Sequence, residues 1–165
     1  MVYILMGVAG CGKSSVGKML SDALLKPFFD ADNFHSPKNI IKMKNGKALK
    51  SEDRTSWLLS LNQKIKKWNE ARGAVLACSA LKESYRRILS KGNDVYFIFL
   101  DGEKELITQR VTSRKGHFFS ETLLQTQFDI LEKPAYGMKV SIAHSLEEIC
   151  HEILDELENT DAKRK

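Results

Sequence analysis

Apolar residues along this chain fall into two alternating patterns: short uninterrupted runs, and longer stretches spaced three or four apart. The first pattern is that of a parallel strand buried on both faces; the second is that of a helix with one apolar stripe. Residues 2–6 (VYILM) form the first run, and Gly7 to Gly12 a glycine-rich loop. Residues 14–25 set Val16, Met19, Leu20, Ala23 and Leu24 at helical spacing, and Pro27 ends the segment. Phe28 and Phe29 open a second strand that stops at Asp30. Helices are predicted over 36–43 and 52–70, the second carrying Trp57, Leu58, Leu61, Ile65 and Trp68 on one face.

Gly73 breaks the chain before a third strand at 74–78 and a helix at 81–89. The clearest strand is the fourth, VYFIFL at 95–100. A helix over 103–114 turns Leu106, Ile107 and Val111 inward, and another spans 122–131. A short fifth strand is expected at 140–143, then an amphipathic helix at 146–157, with the polar last eight residues frayed. Strands alternating with helices predict an α/β fold with a mostly parallel sheet, organised as one domain over 1–165.

Composition narrows the class without changing it. The 165 residues are 42% hydrophobic and 28% charged, as in an ordinary globular chain. No apolar run reaches the roughly 18 residues of a membrane helix, so none is expected. The apolar start lacks a basic leader and runs straight into the glycine loop, which reads as a buried strand rather than a signal peptide. Cys11, Cys78 and Cys150 are odd in number and widely spaced, which predicts neither a disulfide framework nor a zinc site. A reducing cytoplasm is the expected compartment. The net charge of +5 suits a polyanionic ligand such as ATP. The basic residues are not interleaved with aromatics, so no nucleic-acid partner is expected.

Gly7-Val8-Ala9-Gly10-Cys11-Gly12-Lys13-Ser14 fits G-x-x-x-x-G-K-[ST] in full, between a predicted strand and a predicted helix. The chemistry needs these residue types. Glycines let the backbone curl so that its N–H groups face phosphate oxygens. The helix start adds its positive dipole end. Lys13 brings a mobile cation to the β- and γ-phosphates, and the Ser14 hydroxyl is suited to bind Mg²⁺. Ser15 completes the expected ATP-binding set. Cys11, at a variable position of the motif, reads as a small space-filler more readily than as a reactive thiol.

Asp30-Ala31-Asp32 stands at the expected C-terminal end of the second strand, the edge at which parallel sheets bind ligands. If the segment is extended, both carboxylates face one cleft, one to orient or deprotonate an acceptor hydroxyl and one to hold Mg²⁺. An Asx turn that merely ends the strand is the other reading. His35 is open between a cap, a loop residue and a substrate contact. Arg110 and Arg114 share a helical face by their i, i+4 spacing, with Lys115-Gly116-His117 next. They suit either a lid that neutralises the transferring phosphoryl group or a solvated helix end. Asp101 ends an apolar strand in the manner of a Walker-B acid or of a simple turn residue.

Four blocks of this sequence resemble the gluconate kinases, members of the nucleoside-monophosphate-kinase-like P-loop group. They are LMGVAGCGKSSVG (5–17), DADNFHSPKNIIKMKNGKALKSEDRTSWLLSL (30–61), CSALKESYRRIL (78–89) and RKGHFFSETLLQTQFDILEKP (114–134). The resemblance implies a three-layer P-loop fold with a five-stranded parallel sheet flanked by helices. It also implies a substrate-binding helical region at about 36–70 and a small lid at about 112–122. It implies Mg²⁺-dependent transfer of the γ-phosphate of ATP to the 6-hydroxyl of D-gluconate. Lys13 and Ser14 would serve ATP and the metal, with Asp30 and Asp32 beside the acceptor hydroxyl and Asp30 as a second metal ligand. Arg54 would bind the substrate carboxylate, which suits a planar guanidinium. His35, Lys82 and Arg86 would line the same cleft; Arg110, Arg114 and His117 would belong to the lid, with Gln127 behind it. Relatives are often dimers, which makes a homodimer an expectation. The segment after Pro134 is shorter than the family pattern, and MKVSIA lacks its usual aspartate, a departure that bears on the adenine side. On the residues alone, a shikimate-kinase-like enzyme or a nucleotide-binding switch also stands, though the N-K-x-D motif of a GTPase switch is missing.

Overall fold

The computed structural model describes residues 1–45, 47, 49–113 and 121–163. Strand β1 (Val2–Met6) is buried along its whole length, as an uninterrupted apolar run should be. It sits at the centre of a five-stranded parallel sheet with β2 (Phe28–Asp30), β3 (Ala74–Ala77), β4 (Val95–Asp101) and β5 (Met138–Ser141), in the order β2-β3-β1-β4-β5. Side chains of β1 alternate between two cores. Tyr3 and Leu5 join Val16 and Leu20 of helix α1 (Lys13–Leu24), and Ile149 and Ile153 of the C-terminal helix, on one face. Val2, Ile4 and Met6 join Leu58, Leu61 and Ile65 of the long helix that follows the second strand. These are the three layers the resemblance implies.

The remaining helices are α2 (Pro37–Lys44), α3 (Ser51–Glu70), α4 (Glu83–Ser90), α5 (Lys104–Thr112), α6 (Glu121–Ile130) and α7 (Leu146–Lys163). Periodicity located every one of them. Two boundaries move appreciably. Strand β5 lies at Met138–Ser141 rather than 140–143, because Met138 and Val140 face inward while Lys139 and Ser141 are exposed, as befits an edge strand. Helix α7 continues past 157 to Lys163 instead of fraying. Leu157 is its last buried apolar residue, so burial could not announce the extension. The polar turns persist on local i, i+4 contacts, such as Thr160 with Glu156.

Parallel pairing puts the C-terminal ends of all five strands on one edge. The phosphate loop, the Asp30 segment and the loop after β3 therefore emerge side by side. The expected lid at 112–122 falls mostly between α5 and α6; Arg114 and His117 lie outside the described residues.

Candidate active site

The loop between β1 and α1 has the geometry of an anion cradle. Gly10 and Gly12 take φ of 81° and 99°, values that side chains resist and that turn successive N–H groups inward. At Gly10 a Cβ would also stand 2.4 Å from Val111 Cγ2, so this position is closed to larger residues twice over. Gly12 caps α1 with no side-chain hydrogen bond, leaving the first-turn amides of Lys13, Ser14 and Ser15 open for a ligand. Lys13 Nζ donates to the carbonyls of Gly7 (3.0 Å) and Val8 (2.8 Å), folded over the loop. Cys11 is buried beneath it and packs against Gly7, which fits the space-filling reading.

A cavity of about 770 Å³ opens in front of this loop. Ala9, Gly10, Gly12, Lys13, Ser14 and Ser15 form one wall. Asp30, Asp32, His35, Arg54 and Gln127 complete the predicted residues that meet there. Gly7 and Val8 support the loop from behind and do not line the cavity.

The two acids are not equivalent, and their segment is not extended. Residues Ala31–Phe34 form a 3-10 turn capped by Asp30, whose Oδ1 accepts from Asp32 N at 3.0 Å. Its Oδ2 accepts from Ser14 Oγ at 3.3 Å. Asp30 is thus the Asx cap of the turn and the partner of the P-loop serine at once. The Asp32 side chain is 84% exposed on the cleft, with His35 Nε2 3.9 Å from its Oδ1. Its pKa is raised, first by desolvation from the concave walls around it, then by the Asp30 charge; His35 and Lys13 pull the other way. His35 is stacked on Trp57 at 4.2 Å, and Trp57 Nε1 donates to the Ala31 carbonyl. Only 6% of the His35 side chain is exposed, and its Nδ1 has no partner among the described residues. Burial, offset by Asp32 and reinforced by Arg54, lowers its pKa, so the ring is neutral at pH 7.

Arg54 lines the cavity with no acidic partner among the described residues. Its neighbour Asp53 fixes the turn beneath it. The Asp53 carboxylate accepts two bonds from Lys42 Nζ (2.9 and 2.7 Å) and one from Lys50 N (3.0 Å). Buried Asn39 donates to the Asp53 carbonyl at 3.2 Å. The N-x-x-K and E-D-R motifs therefore dock α2 on the start of α3 and present Arg54.

Three expected site residues, two of the cleft and one of the lid, do not line the cavity. Arg86 is 1% exposed and faces away from the cavity. Its guanidinium donates to the Ala80 and Leu81 carbonyls, to Glu83 and to Tyr136 Oη. It is a structural hub, because a buried guanidinium must spend its donors locally. Lys82 stands at the rim, its Nζ 5.9 Å over the Tyr85 ring; Tyr85, not Lys82, reaches the cavity. Arg110 Nη2 donates to the Ile142 carbonyl at 2.7 Å, which ties α5 to the exit of β5 rather than to the cleft. Asp101, at the end of β4, is paired with Lys133 at 3.0 Å and does not line the cavity.

Sequence reasoning missed Lys47 and Tyr85, which line the cavity from the α2–α3 connection and from α4. Lys47 lies outside any periodic pattern, and Tyr85 sits on a helix read for its apolar stripe. Cys78 also lines the wall, but burial pushes its thiol up to about 12, which rules it out as a thiolate nucleophile.

A parallel sheet, a complete phosphate loop and an acidic pair in one cavity with an arginine that has no acidic partner among the described residues define a small-molecule P-loop kinase. The sequence model of the shikimate kinase family matches residues 9–158. The gluconokinase of Arabidopsis thaliana is 40% identical over 177 residues, covering 96% of this chain and 93% of that protein. The thermosensitive gluconokinase of Escherichia coli K12 is 44% identical over 136 residues, covering 80% and 72%. A crystal structure of a gluconokinase from Sinorhizobium meliloti superposes with a TM-score of 0.84 at 38% identity, covering 96% of this chain and 92% of that one. The chain belongs to the gluconokinases, within the broader shikimate kinase family.

Arg86→Met tests the hub. It leaves the buried Ala80 carbonyl without its donor and takes one of several partners from the Leu81 carbonyl and from Glu83, which keep Glu132 N and Tyr136 respectively, a loss of about 1–3 kcal/mol for the unsatisfied acceptor. Denaturant unfolding of the variant should show a midpoint shift of that size with an unchanged slope.

Proposed function

We propose that this protein transfers the γ-phosphate of ATP to the 6-hydroxyl of D-gluconate. The observation that carries the reading is Arg54: a guanidinium with no acidic partner among the described residues, in a cavity that also holds a phosphate loop, calls for an anionic acceptor. Lys47 adds a second cation to the same wall. The identity of the relatives then favours gluconate among anionic acceptors. Shikimate is the second reading, favoured by the family model alone.

In this reading, the amides of Gly10 to Ser15 and the Lys13 ammonium hold the phosphates, with Gly7 and Val8 as the base of the loop. Ser14 Oγ and Asp30 Oδ2, already 3.3 Å apart, are the hard oxygen donors that fit Mg²⁺. The bound ion supplies charge neutralisation across the phosphates. Asp32 is the better base, because Asp30 is spent on Ser14 and on its own turn. It takes the hydroxyl proton as the acceptor oxygen attacks, while neutral His35 holds the substrate chain. Arg110, Arg114 and His117 enter this reading as the lid residues that the resemblance implies. A cytoplasmic location and a homodimer belong to the same reading and are checked by cell fractionation and by mass measurement in solution.

ADP release with D-gluconate, shikimate, glucose and water as acceptors tests the assignment, with ³¹P NMR locating the new ester. Release confined to gluconate supports it; release with shikimate moves the second reading ahead. Arg54→Met should raise the KM for gluconate about 10- to 150-fold while the KM for ATP stays within about twofold, since a charge-assisted pair is worth roughly 1.5–3 kcal/mol.

The Asp32 shift predicts a pH signature. Turnover needs Asp32 ionised, so kcat/KM should fall on the acid side with a midpoint above 3.8, the ordinary aspartate value. The same shift has a stability consequence. A carboxyl whose folded pKa is raised binds its proton more tightly when folded, so its contribution is full below 3.8 and is lost as pH rises through the folded value. Asp32→Asn should therefore abolish turnover and raise Tm at pH 7. A Tm equal to or below wild type would show that Asp32 is not held at a cost.

A further inference from the structure

One polar contact in the cavity belongs neither to the phosphate cradle nor to the acceptor wall. Gln127, on α6, accepts a hydrogen bond through Oε1 from Ala9 N at 2.7 Å, across 118 residues of sequence. Ala9 N is a donor only, so the carbonyl end of the side chain must face it, and the Nε2 end lies on the other branch. Ala9 precedes the inward-turned amides that begin at Gly10, so this bond grips the rim of the loop and leaves the cradle free.

The bond completes a closed set of braces. Gly7 N, at the base of the loop, donates to the Ser79 carbonyl at 3.2 Å. The segment containing Ser79 is joined to the end of α6, where Glu132 N donates to the Leu81 carbonyl at 2.9 Å and Glu132 Oε2 accepts from Glu83 N at 2.6 Å. Tyr136 and Arg86 then lock Glu83. The loop is therefore held at its base by the β3–α4 segment and at its rim by α6, and these two supports hold each other. Without the Gln127 bond, no hydrogen bond among the described residues ties residues 8–12 to an element other than α1.

We propose that Gln127 is a positioning residue for phosphoryl transfer, which fixes the phosphate loop from α6, rather than a substrate contact. Phosphoryl transfer depends on alignment of donor and acceptor, so a loosened rim should act on kcat. For its acceptor this inference rests on the gluconate reading; its central contact does not.

Gln127→Met keeps the length of the side chain and removes the acceptor; Gln127→Glu keeps an acceptor at the same atom. In Gln127→Met we expect kcat to fall about three- to tenfold, the effect of one net hydrogen bond, with the KM for gluconate within about twofold of wild type. Amide exchange at Ala9, followed by NMR in the nucleotide-free protein, should speed up in Gln127→Met and return to the wild-type rate in Gln127→Glu. A raised gluconate KM with unchanged kcat would make Gln127 a substrate contact and overturn the proposal. So would equal Ala9 exchange in wild type and Gln127→Met. Failure of wild type to use gluconate would remove the acceptor assignment and leave the exchange result to decide the role of Gln127.

Discussion

The central position of β1 is the constraint on which the rest of this structure depends. A parallel strand flanked on both sides and covered on both faces has to be apolar throughout, and VYILM is. Its burial fixes where the chain emerges, and the next residues are the phosphate loop. Parallel neighbours bring Asp30 and the loop after β3 to the same edge. The site is therefore assembled from segments distant in sequence with no element dedicated to gathering them. Gly7 N bonded to the Ser79 carbonyl is the direct expression of this, a hydrogen bond from one strand end to the next.

Two arginines show how partners, more than residue type, decide function. Arg86 and Arg54 both stand in motifs shared with gluconate kinases. Arg86 is enclosed and satisfied by two carbonyls, a carboxylate and a phenol. Removing a buried cation from water demands such a set. Arg54 has a turn built under it by Lys42, Asp53 and Asn39, yet no counter-ion of its own among the described residues. One guanidinium holds the fold, and the other is held by it.

The sequence was legible where one physical demand acted alone. Each strand and helix followed from burial periodicity, and the loop followed from the glycines and lysine its geometry requires. Ends set by local polar contacts, such as the last turns of α7, left no apolar trace. Asp30 could not be resolved between a turn cap and a residue of the site because one carboxylate has two oxygens, one accepting from its own turn and the other from the P-loop serine. Arg86 was placed in the cleft by resemblance, which carries a residue's identity across but not what covers its side chain. Lys47 was missed because a cation in an irregular connection has no pattern to betray it.

The cavity is built as two halves, each rigid for its own reason. The donor half is the phosphate loop, braced at its base by Ser79 and at its rim by Gln127. The acceptor half is the α2–α3 unit, closed by the Lys42–Asp53 pair and the buried Asn39. They meet at Asp30, which touches the loop through Ser14 and the acceptor side through the turn that carries Asp32. Phosphoryl transfer asks little covalent chemistry of a protein and much alignment. Alignment between two rigid bodies is set at their joint, so the carboxylate that bridges them has more influence on geometry than any residue on either wall. In the proposed reading this is why the neighbour is the base: Asp30 is held at the joint by Ser14 and by its own turn, while Asp32, carried on the same turn, stands exposed on the cleft.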